Sequence, residues 1–140
     1  MVSQITDNIF IGNYLNGLKT YYDYDAILNI ASEIYYNDES NMKIPYLHIN
    51  ILDGFAFPKN IIDQCMDFLE EHDKLNHKIL VHCVGGISRS PGIVICYLCL
   101  KNKWSLNTSY NVVLDKRDII DPADAIITSI AEYLKDRNVL

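Results

Sequence analysis

Several things are scarce in this chain of 140 residues, and each scarcity excludes a class of protein. The four cysteines, Cys65, Cys83, Cys96 and Cys99, have neither the spacing of a disulfide framework nor that of a zinc site. A reducing compartment is expected, with no metal or other cofactor. Lys and Arg number 12 against 18 Asp and Glu, a net charge of -6, so the concentrated basic surface used by non-specific nucleic-acid or anionic-membrane binders is missing. The longest apolar run, Gly92 to Leu100, is far short of the roughly 20 residues a bilayer span requires. Met1-Val2-Ser3 reads as neither a secretory nor a myristoylation start. With 6 Gly and 4 Pro there is no low-complexity block and no linker, so residues 1–140 are expected to form a single domain. These absences point to a cytoplasmic protein, or one also present in the nucleus, that acts as a monomer without nucleic-acid or membrane partners.

The apolar pattern that remains alternates short strands with helices. Asn8 to Gly12, Asp25 to Ala31, Tyr46 to Asn50 and Lys78 to Val81 read as strands. Gly17 to Tyr22 reads as a short helix. Ile61, Ile62, Cys65, Phe68 and Leu69 recur at helical spacing after Pro58, giving an amphipathic helix to Asp73. A helix from Arg89 to Lys101, one capped by Ser105 and ending near Lys116, and one opened by Asp121-Pro122 and running through Leu134 complete the series. Tyr35 to Lys43 reads as a surface loop. Strands separated by helices predict an α/β fold, with a mostly parallel central sheet of four to five strands flanked by helices.

One segment carries chemistry. His82-Cys83-Val84-Gly85-Gly86-Ile87-Ser88-Arg89-Ser90 lies between the strand ending at Val81 and the helix beginning at Arg89. Backbone N–H groups converging at a helix start, together with the helix dipole, form an anion cradle over Val84 to Arg89. A cysteine at its head has its thiolate favoured by those groups. An arginine at its far end grips two phosphate oxygens at once. Cys83 is the expected nucleophile of a phosphate-ester cleavage, against the plainer role of a buried small hydrophobe. Ser90 either assists departure of the sulfur or caps the helix, and His82 orders the loop. The leaving oxygen needs an acid, for which Asp53 in Ile51 to Phe57 is the candidate; an aspartate before glycine is otherwise a common turn.

His82 to Ser90 resembles the His-Cys-five residues-Arg-Ser/Thr signature of cysteine-dependent protein phosphatases, and Gly86, Ser88, Arg89 and Ser90 resemble the dual-specificity branch, of small atypical type. Ile9 to Gly12 is similar to that family's opening strand, and Ile27-Leu28-Asn29-Ile30-Ala31 to its buried Val-Leu-Asn strand. Asp53 precedes Cys83 by 30 residues, where the branch carries its general acid, and the Ser105 helix and Arg117 match as well. The resemblance implies a phosphocysteine intermediate. Cys83 attacks, Asp53 protonates the leaving group and then activates water, Ser90 assists, and Arg89 with the Val84, Gly85, Gly86, Ile87 and Ser88 backbone binds the phosphoryl oxygens. The family's final Pro-Asn pair is here Pro122-Ala123.

The side chains between Cys83 and Arg89 are uncharged. Phosphoinositide-cleaving relatives usually add lysines there, and those acting on RNA 5′ ends are basic. A phosphoprotein substrate is therefore expected, phosphotyrosine and also phosphoserine and phosphothreonine. A phosphatase acting on lipid, RNA or carbohydrate, or a non-catalytic phosphoprotein-binding module, are the alternatives. Cys65, Cys96 and Cys99 read as core, with redox partnership for Cys83 the lesser role. Tyr35 and Tyr36 read as exposed, and His48, His72 and His77 as structural.

Overall fold

The structure, a computed structural model, describes residues 1–37 and 39–139. Asp38, within the loop expected over Tyr35 to Lys43, and Leu140 lie outside the described residues. Five strands form one sheet: β1 (Ser3–Gln4), β2 (Ile9–Gly12), β3 (Ala26–Asn29), β4 (Tyr46–His48) and β5 (Ile79–His82). Their order is β1-β2-β5-β3-β4, with only the β1–β2 pair antiparallel. The mostly parallel α/β sheet expected from the sequence is thus observed, with the two-residue β1 as an unanticipated edge.

The helices are α1 (Tyr14–Thr20), α2 (Lys59–Lys74), α3 (Arg89–Asn102), α4 (Leu106–Lys116) and α5 (Asp124–Asp136), with short 3-10 turns at Tyr21–Asp23 and Glu39–Asn41. Strand side chains alternate between two cores, as a pleated ribbon dictates. Ile9, Ile11, Ala26, Leu28, Ile79 and Val81 face the larger core with α2 to α5. Phe10, Ile27 and Leu80 face a smaller one with Leu18 of α1 and Tyr36. Helix α3 is apolar on every side because it is the central helix of the larger layer, packed on α2, α4 and α5. Cys96 and Cys99 lie inside it, fully buried.

Three helix starts differ from the sequence expectation. Helix α1 begins at Tyr14 because Asn13 and Asn16 form a reciprocal capping box, each side chain accepting from the other's backbone N–H at 3.0 and 2.8 Å. Pro58 caps α2 rather than standing in its first turn. Helix α5 begins only at Asp124, since the Asp121 and Ala123 N–H groups are drawn to the Cys83 loop instead.

Candidate active site

Parallel pairing brings the carboxyl ends of β2, β3 and β5 to one edge, with Gly12, Asn29 and His82 in register. Ligand sites of open α/β sheets lie at such an edge. Residues 83–88 leave it as a loop into α3, and all of them except Gly86, with Asp53, Arg89 and Asp121, line a cleft of about 460 Å³. Cys83, 3% exposed, lines this cleft. Its Sγ lies 3.3 Å from the Ser90 Oγ. Ser88 rather than Ser90 stands at the α3 N-cap, and the Ser88 hydroxyl accepts from the Ala123 N–H at 2.9 Å. Ser90 is thereby left facing the sulfur.

The Arg89 side chain is 2% exposed, and three of its five N–H donors are bound within the chain. Nη1 and Nη2 donate to the two carboxylate oxygens of Glu33 at 2.7 and 3.0 Å, and Nη1 donates also to the Ile51 carbonyl at 2.8 Å. Of the five N–H donors of an arginine, this leaves one on Nη2 and that on Nε. These two share one edge, the spacing that matches two oxygens of a phosphoryl group. Nε is buried without a hydrogen-bond partner, and the Asp53 carboxylate lies 3.8 Å from it. The bond to Arg89 holds the Glu33 carboxyl below the usual carboxylate range, burial opposing it. Burial works against the Arg89 charge, but Glu33, Cys83 and Asp53 together raise its pKa. The Ile51 contact also ties the segment leading to Asp53 to the start of α3.

Glu33 escaped the sequence reading. It occupies a tight turn after β3 that the buried Asn29 side chain builds. Asn29 Nδ2 donates to the Ile34 carbonyl at 2.9 Å and to the Tyr46 hydroxyl at 3.0 Å, and its Oδ1 accepts from the Ala31 N–H at 3.1 Å. The only available signal was the presence of an acidic residue just beyond a buried strand at the cleft edge.

His82 closes β5 beneath the loop. Its Nδ1 is 3.0 Å from the Cys83 carbonyl, which can only accept, so Nδ1 carries the proton and Nε2 accepts from the Tyr36 hydroxyl at 2.7 Å. Burial lowers the His82 pKa to about 4, fixing the neutral ring. Tyr36 is accordingly buried, not exposed as expected, while its neighbour Tyr35 is exposed. Gly17 faces this pair: a Cβ there would collide with the Tyr36 hydroxyl and the His82 ring.

Arg117 supports the loop from the opposite side. Its Nε donates to the Gly86 carbonyl at 2.8 Å and Nη2 to that of Gly85 at 3.3 Å, while Nη1 reaches the Met1 carbonyl and the Ser3 hydroxyl at 2.8 and 3.0 Å. Gly86 has φ +67, and a Cβ there would stand 2.5 Å from the Gly12 carbonyl oxygen, so this position requires glycine twice over. Gly86 packs against β2 and Arg117, whereas Val84, Gly85, Ile87 and Ser88 line the cleft. Where the Pro-Asn asparagine is missing, the strap from Asp121 to Ala123 holds the loop by backbone: the Asp121 N–H donates to the Ile87 carbonyl at 2.7 Å, and the Ala123 N–H to Ser88.

The other cysteines lie in the core, with Cys65 pushed up to about 12 by burial. His48 binds the Ala31 carbonyl and Glu39, and His72 pairs with His77. Among the described residues, no group of three or more His, Cys, Asp or Glu side chains is gathered to hold a metal ion, and no helix is long and apolar enough to cross a membrane.

Comparison with known proteins agrees with this geometry. Residues 9–136 match the family model for the catalytic domain of dual specificity phosphatases. A tyrosine phosphatase candidate, 123R of Invertebrate iridescent virus 6, is 31% identical over 94% of this chain and 90% of its own length. The dual specificity protein phosphatase OPG106 of Vaccinia virus is 31% identical over 79% of this chain and 66% of its own. Among solved structures, the human tyrosine phosphatase-like serine/threonine/tyrosine-interacting protein superposes with a TM-score of 0.87 at 21% identity, covering 98% of this chain and 97% of that one. PTPMT1, solved in complex with PI(5)P, superposes with a TM-score of 0.85 at 17% identity, covering 98% and 96%. The chain belongs to the dual specificity phosphatase family and is a phosphatase.

Proposed function

We propose that this chain hydrolyses phosphoprotein monoesters through a phosphocysteine. The observation that carries the proposal is the shared cleft of Cys83 and the free Nε–Nη2 edge of Arg89. A phosphoryl group gripped by that edge is presented to the sulfur. The Cys83 thiolate attacks phosphorus in line, the bond to the leaving oxygen breaks, and that oxygen takes the proton of Asp53. Water then attacks the phosphocysteine and gives its proton to the Asp53 carboxylate. The P–S bond breaks, and the departing thiolate is met by the Ser90 hydroxyl at 3.3 Å. Arg89 and the Val84 to Arg89 N–H groups neutralise the equatorial oxygens throughout. Glu33 is a positioning residue that turns the free edge of Arg89 toward the cleft.

A protein substrate is favoured because Arg89 is the only cation lining the cleft among the described residues, which leaves nothing to meet the further phosphates of a lipid headgroup. The test is hydrolysis of p-nitrophenyl phosphate in the presence of a chelator, comparing the native chain with Cys83→Ser. Turnover by the native chain alone supports the nucleophile. Equal turnover by both would show that another group attacks. A phosphotyrosine peptide left intact while an inositol lipid is cleaved would overturn the protein assignment.

A further inference from the structure

The mouth of the cleft has a character of its own. Two carboxylates line it, Asp53 and Asp121, with Asp53 63% exposed on its side chain. Against them stands one guanidinium, and Glu33 already covers its outer edge. Arg117, the next nearest arginine along the loop, is turned to the Gly85 and Gly86 carbonyls. One phosphoryl group therefore fills the free edge of Arg89, and among the described residues the other charged side chains lining the cleft, Asp53 and Asp121, are both carboxylates. The rim is also apolar. Ile87 lines the cleft, Phe55 directly follows the lining residues Asp53 and Gly54 in the chain, and both are exposed. Single exposed apolar side chains are ordinary, but a pair beside a cleft lined by carboxylates offers a contact surface for a peptide.

We propose that this mouth selects singly phosphorylated protein segments flanked by basic and apolar side chains, and discriminates against segments with acidic flanks or a second phosphate. Basic flanks pair with Asp121, apolar ones lie on Phe55 and Ile87, and the buried Nε of Arg89, otherwise without a partner, receives the phosphoryl group. The inference rests on the protein-phosphatase reading above and names the substrate class of that same site.

Three phosphotyrosine peptides of equal length test it: one with Lys and Leu flanks, one with Glu flanks, and the first carrying an added phosphothreonine two residues away. A p-nitrophenyl phosphate arm supplies a flank-free reference and a short-chain phosphatidylinositol monophosphate a lipid one. The Lys/Leu peptide is expected to exceed the other two by about tenfold or more in kcat/KM at low salt, the advantage narrowing in 0.4 M NaCl as screening shortens the reach of Asp121. Asp121→Lys is expected to cut the ratio of basic to acidic peptide at least threefold. Because it is a ratio, any general loss of activity cancels, and the backbone N–H that binds Ile87 is kept. A wild-type ratio near one, or a ratio unmoved by Asp121→Lys, overturns the proposal while p-nitrophenyl phosphate turnover leaves the phosphatase chemistry standing. Lipid cleavage faster than that of every peptide overturns the protein-substrate reading itself.

Discussion

Two buried arginines hold the phosphate loop, one from each side, and they are built on opposite plans. Arg89 faces a carboxylate that balances its charge and keeps one edge unbound. Arg117 faces only neutral oxygens, and every nitrogen of its guanidinium donates to one of them. Their ionisation follows the difference. Burial lowers the Arg117 pKa with no bonded carboxylate to oppose it, whereas Glu33 and the cleft charges raise that of Arg89 in spite of burial. An arginine that donates from all three nitrogens within the chain fixes shape. One that leaves two donors open, held rigid by a bidentate ion pair, is prepared for a ligand that supplies two acceptors. Exposure does not separate them, at 2% and 5%; the count of spent donors does.

The largest expected effect tests the open edge. Arg89→Lys keeps a positive charge but cannot engage Glu33 bidentately and still present two donors, so kcat/KM on p-nitrophenyl phosphate should fall about 10²–10³-fold, the scale of losing an oriented donor at a developing charge. A loss under fivefold would mean that charge alone suffices and the edge argument fails. Arg117→Met should do the reverse. It strands the Gly85 and Gly86 carbonyls and is expected to cost about 2–3 kcal/mol in urea unfolding. Where the variant remains folded, its kcat/KM should drop less than tenfold. A stable Arg117→Met variant without activity would place Arg117 on the chemical side and erase the contrast.

This division also explains what was legible in the sequence. The strands, the amphipathic helices and the phosphate loop are written in contiguous residues, where periodicity and glycine placement act locally. Cys83, Arg89 and Ser90 could be named because one turn of chain brings them together. The residues that hold the loop come from afar: Glu33 is 56 positions before Arg89, and Tyr36 is 46 before His82. Their meeting depends on the parallel register of β3 with β5, which no local pattern encodes. Tyr36 and Asp121 were misread for the same reason. A tyrosine in a polar stretch looks solvated until His82 takes its hydroxyl, and an aspartate before proline looks like a cap until its N–H is claimed by Ile87. Asp53 could be proposed as the acid only through family resemblance, since an exposed aspartate before glycine is what any turn contains.

His82 belongs with Arg117 as a structural support, and its titration offers a way to show it. The ring is neutral in the fold, with its pKa lowered from 6.5 to about 4 by burial. The unfolded chain therefore binds a proton that the folded one refuses, and stability present above pH 6.5 is lost as pH falls toward 4. Between pH 7 and pH 5 this amounts to about 2 kcal/mol of unfolding free energy. His82→Gln should be less stable at pH 7 but should lack this part of the acid slope in urea titrations at each pH. An unchanged slope would assign the acid sensitivity to other groups.

Glu33→Gln should have the smallest effect, and it separates the two plans most finely. The amide keeps one acceptor for Nη1 but turns an NH2 group toward Nη2, so one bond and the charge are lost together. The Glu33 side chain is 44% exposed, so water and salt replace part of what is removed. A loss of about tenfold in kcat/KM is expected, well below that of Arg89→Lys, because the guanidinium and its free edge remain. Glu33→Ala, which removes both acceptors, should lose more than Glu33→Gln, and unfolding free energy should move by less than about 1 kcal/mol in either variant. If both variants instead lost stability and kept full kcat/KM, the ion pair would be an ordinary structural bond. Arg89 would then find its orientation from the Ile51 carbonyl and the packing of α3 alone, and the distinction between an arginine held for a ligand and one held for the fold would rest on the empty Nε–Nη2 edge without its carboxylate partner.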